Sequence, residues 1–287
     1  MPSSYDAVLV ASFGGPESRE EVLPFLENVL RGRNVPRERM MEVAEHYYHF
    51  GGRSPINDQN RALLDALRAE LRSRGQSLPV YWGNRHWRPF LRDTLRTMAE
   101  DGVGRALAFC TSAYSSYSGC RQYLDDIERA RIEAGPDAPE VDKLRAFYNH
   151  PGFIGAMTDR VREALARVPS ERREQAALLF SAHSVPLSMA EGCPYVEQLH
   201  EACRLISVAI GREWQLAYQS RSGPPNQPWL GPDISEALRD VAGGTKDVVV
   251  APVGFISDHM EVVYDLDTEA AALAAEFGLR MVRARTV

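Results

Sequence analysis

The sequence predicts an α/β protein built from two similar doubly wound (Rossmann-like) parallel-sheet domains with a ligand cleft between them. Three observations carry this expectation. Strand-like apolar runs recur near residues 6–12, 79–83, 105–110, 176–181, 215–219, 247–252 and 279–283, with helical periodicity between them, which is the signature of parallel βα units. The 287 residues, 44% apolar and 25% charged, suffice for two cores, since single domains run to roughly 100–200 residues. Turn formers gather at Ala134-Gly135-Pro136-Asp137-Ala138-Pro139 between halves of similar element order, which places an N-terminal domain at 1–140 and a C-terminal one at 141–287. A cleft between two such domains is a favoured ligand position.

The first strand runs into Phe13-Gly14-Gly15-Pro16, which is not GxGxxG and gives a dinucleotide site little support. Gly51-Gly52-Arg53-Ser54-Pro55 reads either as a turn before a helix or as a place where backbone approaches a ligand. Leu63, Leu64, Leu67 and Leu71, after the cap candidates Asn57 and Asp58, form one apolar helical stripe, and Leu91, Leu95 and Met98 after Pro89 form another. Beyond the strand ending at Cys110-Thr111-Ser112, the tyrosines Tyr114, Tyr117 and Tyr123 stand among serines with Arg121. Such a lining suits a flat apolar ligand with anionic edges as well as it suits local packing. Cys203, on the stripe Val196, Leu199, Cys203, Ile206, reads as a small buried hydrophobe.

A net charge of −6 argues against sequence-independent nucleic-acid binding, which needs a basic face to displace counterions. The N-terminus lacks a basic segment before an apolar stretch, and no apolar run approaches the ~18 residues of a membrane span, so a cytoplasmic protein is expected. The four cysteines, Cys110, Cys120, Cys193 and Cys203, form no CxxC pair and signal neither a zinc ribbon nor a thioredoxin motif.

Two clusters carry chemistry. Ser181-Ala182-His183-Ser184 ends one apolar run and Asp258-His259 with Glu261 follows another, and in α/β proteins ligands bind at the carboxyl ends of strands. On a regular helix Glu261, Asp265 and Glu269 would stack at i, i+4 and i+8 into a carboxylate row, mildly unfavourable unless a cation or proton uses it. The plain alternative is that Asp258-x-x-Glu261 forms a capping box and the later acids are simply solvated. Taken alone, His183 reads as a structural hydrogen-bonder rather than a catalyst. An imidazole facing a carboxylate suits a borderline divalent ion such as Fe²⁺, and an imidazole also takes protons near neutral pH. The combined expectation is a metal-binding base.

The chain resembles the ferrochelatase family along nearly its whole length. The segments that carry the resemblance are Ala11-Ser12-Phe13-Gly14-Gly15-Pro16, Arg31-Gly32-Arg33, Phe50-Gly51-Gly52-Arg53-Ser54-Pro55-Ile56-Asn57, Ser181-Ala182-His183-Ser184, Tyr218-Gln219-Ser220, Pro228-Trp229-Leu230-Gly231-Pro232-Asp233 and Gly254-Phe255-Ile256-Ser257-Asp258-His259 with Glu261. It is most similar to the bacterial branch that inserts Fe²⁺ into coproporphyrin III to give coprohaem. The resemblance implies a chelatase fold with porphyrin in the cleft, His183 taking pyrrole protons or holding metal, and Glu261 as the second metal ligand. It further implies that Ser54 and Tyr123 contact porphyrin propionates and that Asp265 and Glu269 lead metal or protons to the centre. A monomer is expected, passing product to a downstream haem-pathway enzyme.

Three departures qualify it. Phe13 stands where some members have a tyrosine able to approach the metal, and a phenyl ring has no ligating atom. His86 matches a secondary metal contact of some members and equally fits a structural role. Cys120 matches one ligand of a [2Fe-2S] cluster whose other three cysteines lie near the C-terminus of relatives. The sequence reaches Arg285-Thr286-Val287 without them, so the family's C-terminal helix and tail are expected to be missing, and a cluster is expected only if the chain is truncated.

Porphyrin metallation needs a base for two pyrrole protons, a ligand for a dehydrating ion and an enforced ring distortion, and His183 and Glu261 supply the first two. Competing expectations are a protoporphyrin IX ferrochelatase, a cobalt chelatase, since histidine and carboxylate do not choose between Fe²⁺ and Co²⁺ by affinity, and a porphyrin or haem carrier without catalysis.

Overall fold

The structure, a computed structural model, describes residues 5–32, 35–116, 121–223 and 226–287. The chain forms two compact units. The first takes in residues up to Thr111 together with Arg121–Arg145, and the second takes in Ala146–Val287 with the segment that begins at Ser112.

In the first unit the order is β1 (Ala7–Ser12), α1 (Val22–Leu30), α2 (Arg37–His49), α3 (Ile56–Ser73), β2 (Val80–Asn84), α4 (Leu91–Glu100), β3 (Arg105–Cys110), α5 (Gln122–Ala134) and β4 (Glu140–Lys143). The strands form one parallel sheet in the order β2-β1-β3-β4. Alternation along β1 divides its side chains between two faces: Ala7, Leu9 and Ala11 meet Leu91, Leu95, Met98 and Ile127 of α4 and α5, while Val8 and Val10 meet Leu64 of α3. The leucine stripes thus pack as their spacing predicts. The cap candidates do not cap, because α3 begins one residue earlier and Asp58 bonds to Arg53 at 2.8 Å.

The strand β4 was not legible in the sequence. Its residues Glu140-Val141-Asp142-Lys143 carry one apolar side chain, and Arg105 on β3 donates to Asp142 at 2.7 Å. A charged edge strand of this kind resists pairing with other chains and also hides from a hydrophobic-run search. Because β4 pairs with β3, the first unit continues to Arg145, past the expected boundary at 140.

The second unit repeats the scheme with α6 (Pro151–Ala166), β5 (Ala177–His183), α7 (Leu187–Ala190), α8 (Tyr195–Ile210), β6 (Gln215–Gln219), α9 (Ile234–Ala242), β7 (Asp247–Ala251), α10 (Met260–Tyr264), a π-helical turn (Asp265–Ala270), α11 (Ala271–Glu276) and β8 (Arg280–Arg283). Its parallel sheet runs β6-β5-β7-β8, the same order as the first. Leu178, Phe180 and Ala182 pack on α6 and α8, with Cys203 fully buried among them, while Leu179, Val248 and Val250 pack on α9 and α11. Tyr114, read as a candidate ligand lining, belongs to this core: it is 3% exposed, and its hydroxyl donates to the Val253 carbonyl at 2.8 Å.

The turn after β7 presses against β5. Gly254 N–H donates to the Ser181 carbonyl at 3.0 Å, and a Cβ on Gly254 would lie 2.6 Å from the Ala182 Cβ. Gly254→Ala is therefore expected to lower stability by about 1–3 kcal/mol, as overpacking of a tight contact does. Denaturant unfolding of the variant measures it, and an unchanged midpoint counts against so close an approach.

Candidate functional site

In a doubly wound sheet, ligands bind outside the carboxyl ends of the two strands where the order reverses. In the second unit those strands are β5 and β7. His183 is the last residue of β5, and Glu261 lies in the first turn of α10, which follows β7. Fold topology alone thus brings together two residues that are 78 positions apart.

The His183 Nε2 lies 3.5 Å from the Glu261 Oε1. Its Nδ1 faces the carbonyl of Ser184, and since a carbonyl only accepts, Nδ1 carries a proton and Nε2 is the nitrogen free to exchange one. The buried Tyr195 donates its hydroxyl to the His183 carbonyl at 3.0 Å and so holds the strand end. The other carboxylate oxygen of Glu261 lies 3.7 Å from the His259 Nδ1. Roughly half of the Glu261 side chain, 53%, remains exposed, and 32% of His183 does, so both stay open to a ligand.

Electrostatics couple the pair. Burial by itself pushes the His183 imidazole down, but the Glu261 carboxylate outweighs it and raises the imidazole from 6.5 to about 9. Burial likewise pushes the Glu261 carboxyl up, and the facing imidazole pulls it down to about 2. Without a ligand the pair is an imidazolium beside a carboxylate. Burial holds His259 below the usual histidine value.

The acidic row is only partly as expected. After α10 the chain turns through Asp265–Ala270 with the wider i→i+5 bonding of a π-helix, so residues four apart no longer stack as on a regular helix. Glu269 is exposed, and its charge still reaches Asp265. Burial raises Asp265 from 3.8 to about 7, against a hydrogen bond from Ser220 and with the Glu261 and Glu269 charges adding to the rise. The capping-box alternative does not form: His259 is the N-cap without a side-chain bond, and Asp258 instead accepts from Arg283 at 2.8 Å.

In the first unit, Ser54 and Tyr123 are 2% and 4% exposed. The Ser54 hydroxyl accepts from the Ile56 N–H at 3.5 Å, and the Tyr123 hydroxyl lies 3.3 Å from the Thr111 Oγ1. The Arg85 guanidinium sits 4.7 Å from the centre of the Tyr123 ring and is itself held by Asp126 at 2.6 Å. Both hydroxyls are thus set by internal contacts before any ligand arrives. The His86 ring packs against Phe13, with ring centres 4.5 Å apart.

Cys120 lies outside the described residues. The cysteines that are described do not form a cluster cradle: Cys203 is buried in the α8 core, where burial pushes its thiol up, and Cys193 donates to the Met189 carbonyl at 3.2 Å. Among the described residues no three His, Cys, Asp or Glu side chains converge as a ready-made metal cage, and no helix is long and apolar enough to cross a membrane.

Residue reading missed Tyr195, Gln219 and Ser220 as contributors to this site. Gln219 and Ser220 fall in the segment Tyr218-Gln219-Ser220, but nothing in their spacing gives them a role. Gln219 Nε2 donates to the Glu261 carbonyl at 2.7 Å, and the Ser220 hydroxyl donates to the Asp265 carboxylate.

Comparison with known proteins bears on the family of the chain. A protein named coproporphyrin III ferrochelatase in Mycolicibacterium smegmatis is 53% identical over 288 residues, covering 99% of this chain and 85% of that one. A Rhodopirellula baltica protein named ferrochelatase is 56% identical over 283 residues, covering 98% and 80%. The solved structure of CbiX, described as the terminal enzyme of sirohaem biosynthesis in denitrifying bacteria, superposes with a TM-score of 0.52 at 14% identity, covering 98% of this chain and 91% of that one, which is a likeness of fold. The ferrochelatase family profile matches residues 5–287, and the chain belongs to the ferrochelatase family.

Proposed function

We propose that the protein inserts Fe²⁺ into coproporphyrin III to form coprohaem, with His183 as the base and Glu261 as the metal-binding carboxylate. The observation that carries the assignment of residues is the 3.5 Å approach of Nε2 to Oε1 at the reversal point of the second sheet. Relatives about half identical over nearly the whole chain, named for coproporphyrin III, support the choice of porphyrin. In this reading the enzyme works as a monomer in the cytoplasm and passes coprohaem to a downstream haem-pathway enzyme.

The chemistry follows from the coupling of the two groups. While Glu261 is free, its charge keeps His183 protonated and unable to act as a base. A ferrous ion arriving on Glu261 engages that charge, so the imidazolium loses its partner, releases its proton and becomes able to accept one from a pyrrole N–H. Base activation is thereby tied to metal arrival. Asp265, titrating near neutrality, is placed to take up or pass on the released protons. Ser54 and Tyr123, with hydroxyls already set, serve the propionates.

Purified protein with Fe²⁺ and coproporphyrin III under reducing conditions is expected to give many equivalents of product per chain, and a yield limited to one equivalent would indicate a carrier instead. Competition between coproporphyrin III and protoporphyrin IX tests the substrate, with the former preferred. Asp265→Asn is expected to slow insertion about threefold to tenfold at limiting Fe²⁺, less than loss of a direct proton acceptor would. An unchanged dependence of rate on Fe²⁺ counts against its part.

A further inference from the structure

We infer that Gln219 is the positioning residue that holds the two halves of the site at their working separation. This rests on the metal-insertion reading above, and four observations lead to it. Gln219 ends β6 in register with His183, and its main-chain carbonyl accepts from the Ser184 N–H at 2.8 Å, so its backbone fixes the strand end that carries the imidazole. Its side-chain Nε2 donates to the Glu261 carbonyl at 2.7 Å and lies 3.4 Å from the Asp265 Oδ2, so its amide grips the segment that carries the carboxylates. The Asp265 N–H bonds to the Val262 carbonyl, three residues back, so α10 tightens at its end where Gln219 grips the Glu261 carbonyl. The π-helical turn begins at this point.

The fourth observation concerns the other end of the amide. Gln219 is 1% exposed, and its Oε1 is buried without a hydrogen-bond partner. The amide orientation is set by the Glu261 carbonyl, which only accepts and must face the NH₂ group. An apolar residue of equal size would fill the space without an orphaned oxygen, so packing gives no reason for a glutamine here. Its donors do: they place Glu261 and Asp265 relative to a strand end that the same residue anchors. Gln219 touches no reacting atom and acts through these neighbours.

Gln219→Met keeps the volume and removes both donors. It is expected to bind coproporphyrin III within about twofold of the parent by fluorescence quenching, to keep its thermal midpoint, and to lose about tenfold or more in kcat, as small misplacements of catalytic groups do. Combined with Asp265→Asn, its loss is expected to be less than additive, since the two share one network. Gln219→Glu, of the same shape, sets a carboxylate against two acceptors and is expected to lose at least as much. Normal kcat in both variants, a loss confined to porphyrin affinity, full additivity with Asp265→Asn, or failure of both variants to fold each overturns the inference, the last by making Gln219 a packing residue. If the parent itself turns over no iron, the metal-insertion reading fails instead.

Discussion

His183→Ala and Glu261→Gln are each expected to reduce iron insertion about a thousandfold, in the range that loss of a positioned acid or base brings, while coproporphyrin III affinity changes only a few-fold. The reason is geometric. Nδ1 is committed to the Ser184 carbonyl, so Nε2 alone faces the carboxylate, and Ala leaves no group to replace it. Glutamine keeps the shape of Glu261 but removes the charge that attracts a cation and sets the imidazole. Anaerobic insertion assays with porphyrin fluorescence titrations separate chemistry from binding. Insertion by either variant at close to the parent rate would remove the proposed mechanism.

A second large effect is expected in the titration of His183. In the parent, the Glu261 charge holds the imidazole at about 9, above its ordinary 6.5, against burial that acts downward. Glu261→Gln leaves burial unopposed by that charge, so the imidazole is expected to titrate lower than in the parent, read from histidine ring chemical shifts in NMR. The sign for stability follows. A raised imidazole stabilises the fold fully below 6.5, and that contribution fades as pH rises through about 9. The depressed Glu261 contributes above 4.5, and its share is lost as pH falls through about 2. The stability difference between parent and variant should therefore persist at neutral pH and shrink at both extremes. An imidazole that titrates equally in both proteins would refute the coupling.

Much of this was legible because it depends on local pattern. The strand runs, the leucine stripes and the burial of Cys203 follow from periods of two and of 3.6, which any short window displays. The strand β4 was missed because its side chains are charged, and Tyr114 was open to misreading because an aromatic in a serine-rich segment looks the same whether it meets a ligand or a core. The carboxylate row was drawn on an ideal helix, and the chain makes a π-turn there instead.

By itself the sequence determined two parallel α/β sheets and membership of the family, and it singled out His183 and Glu261 as the proposed base and carboxylate. The tertiary structure decided the rest of the second unit's site: that β5 and β7 are the strands flanking the reversal, that Nε2 rather than Nδ1 faces Glu261, and that Gln219 and Ser220 hold the acidic turn in place. The physical reason is range. Periodicity and propensity act over a few neighbouring residues, whereas a hydrogen bond between residues 219 and 261 exists only after sheet pairing has spanned the intervening chain.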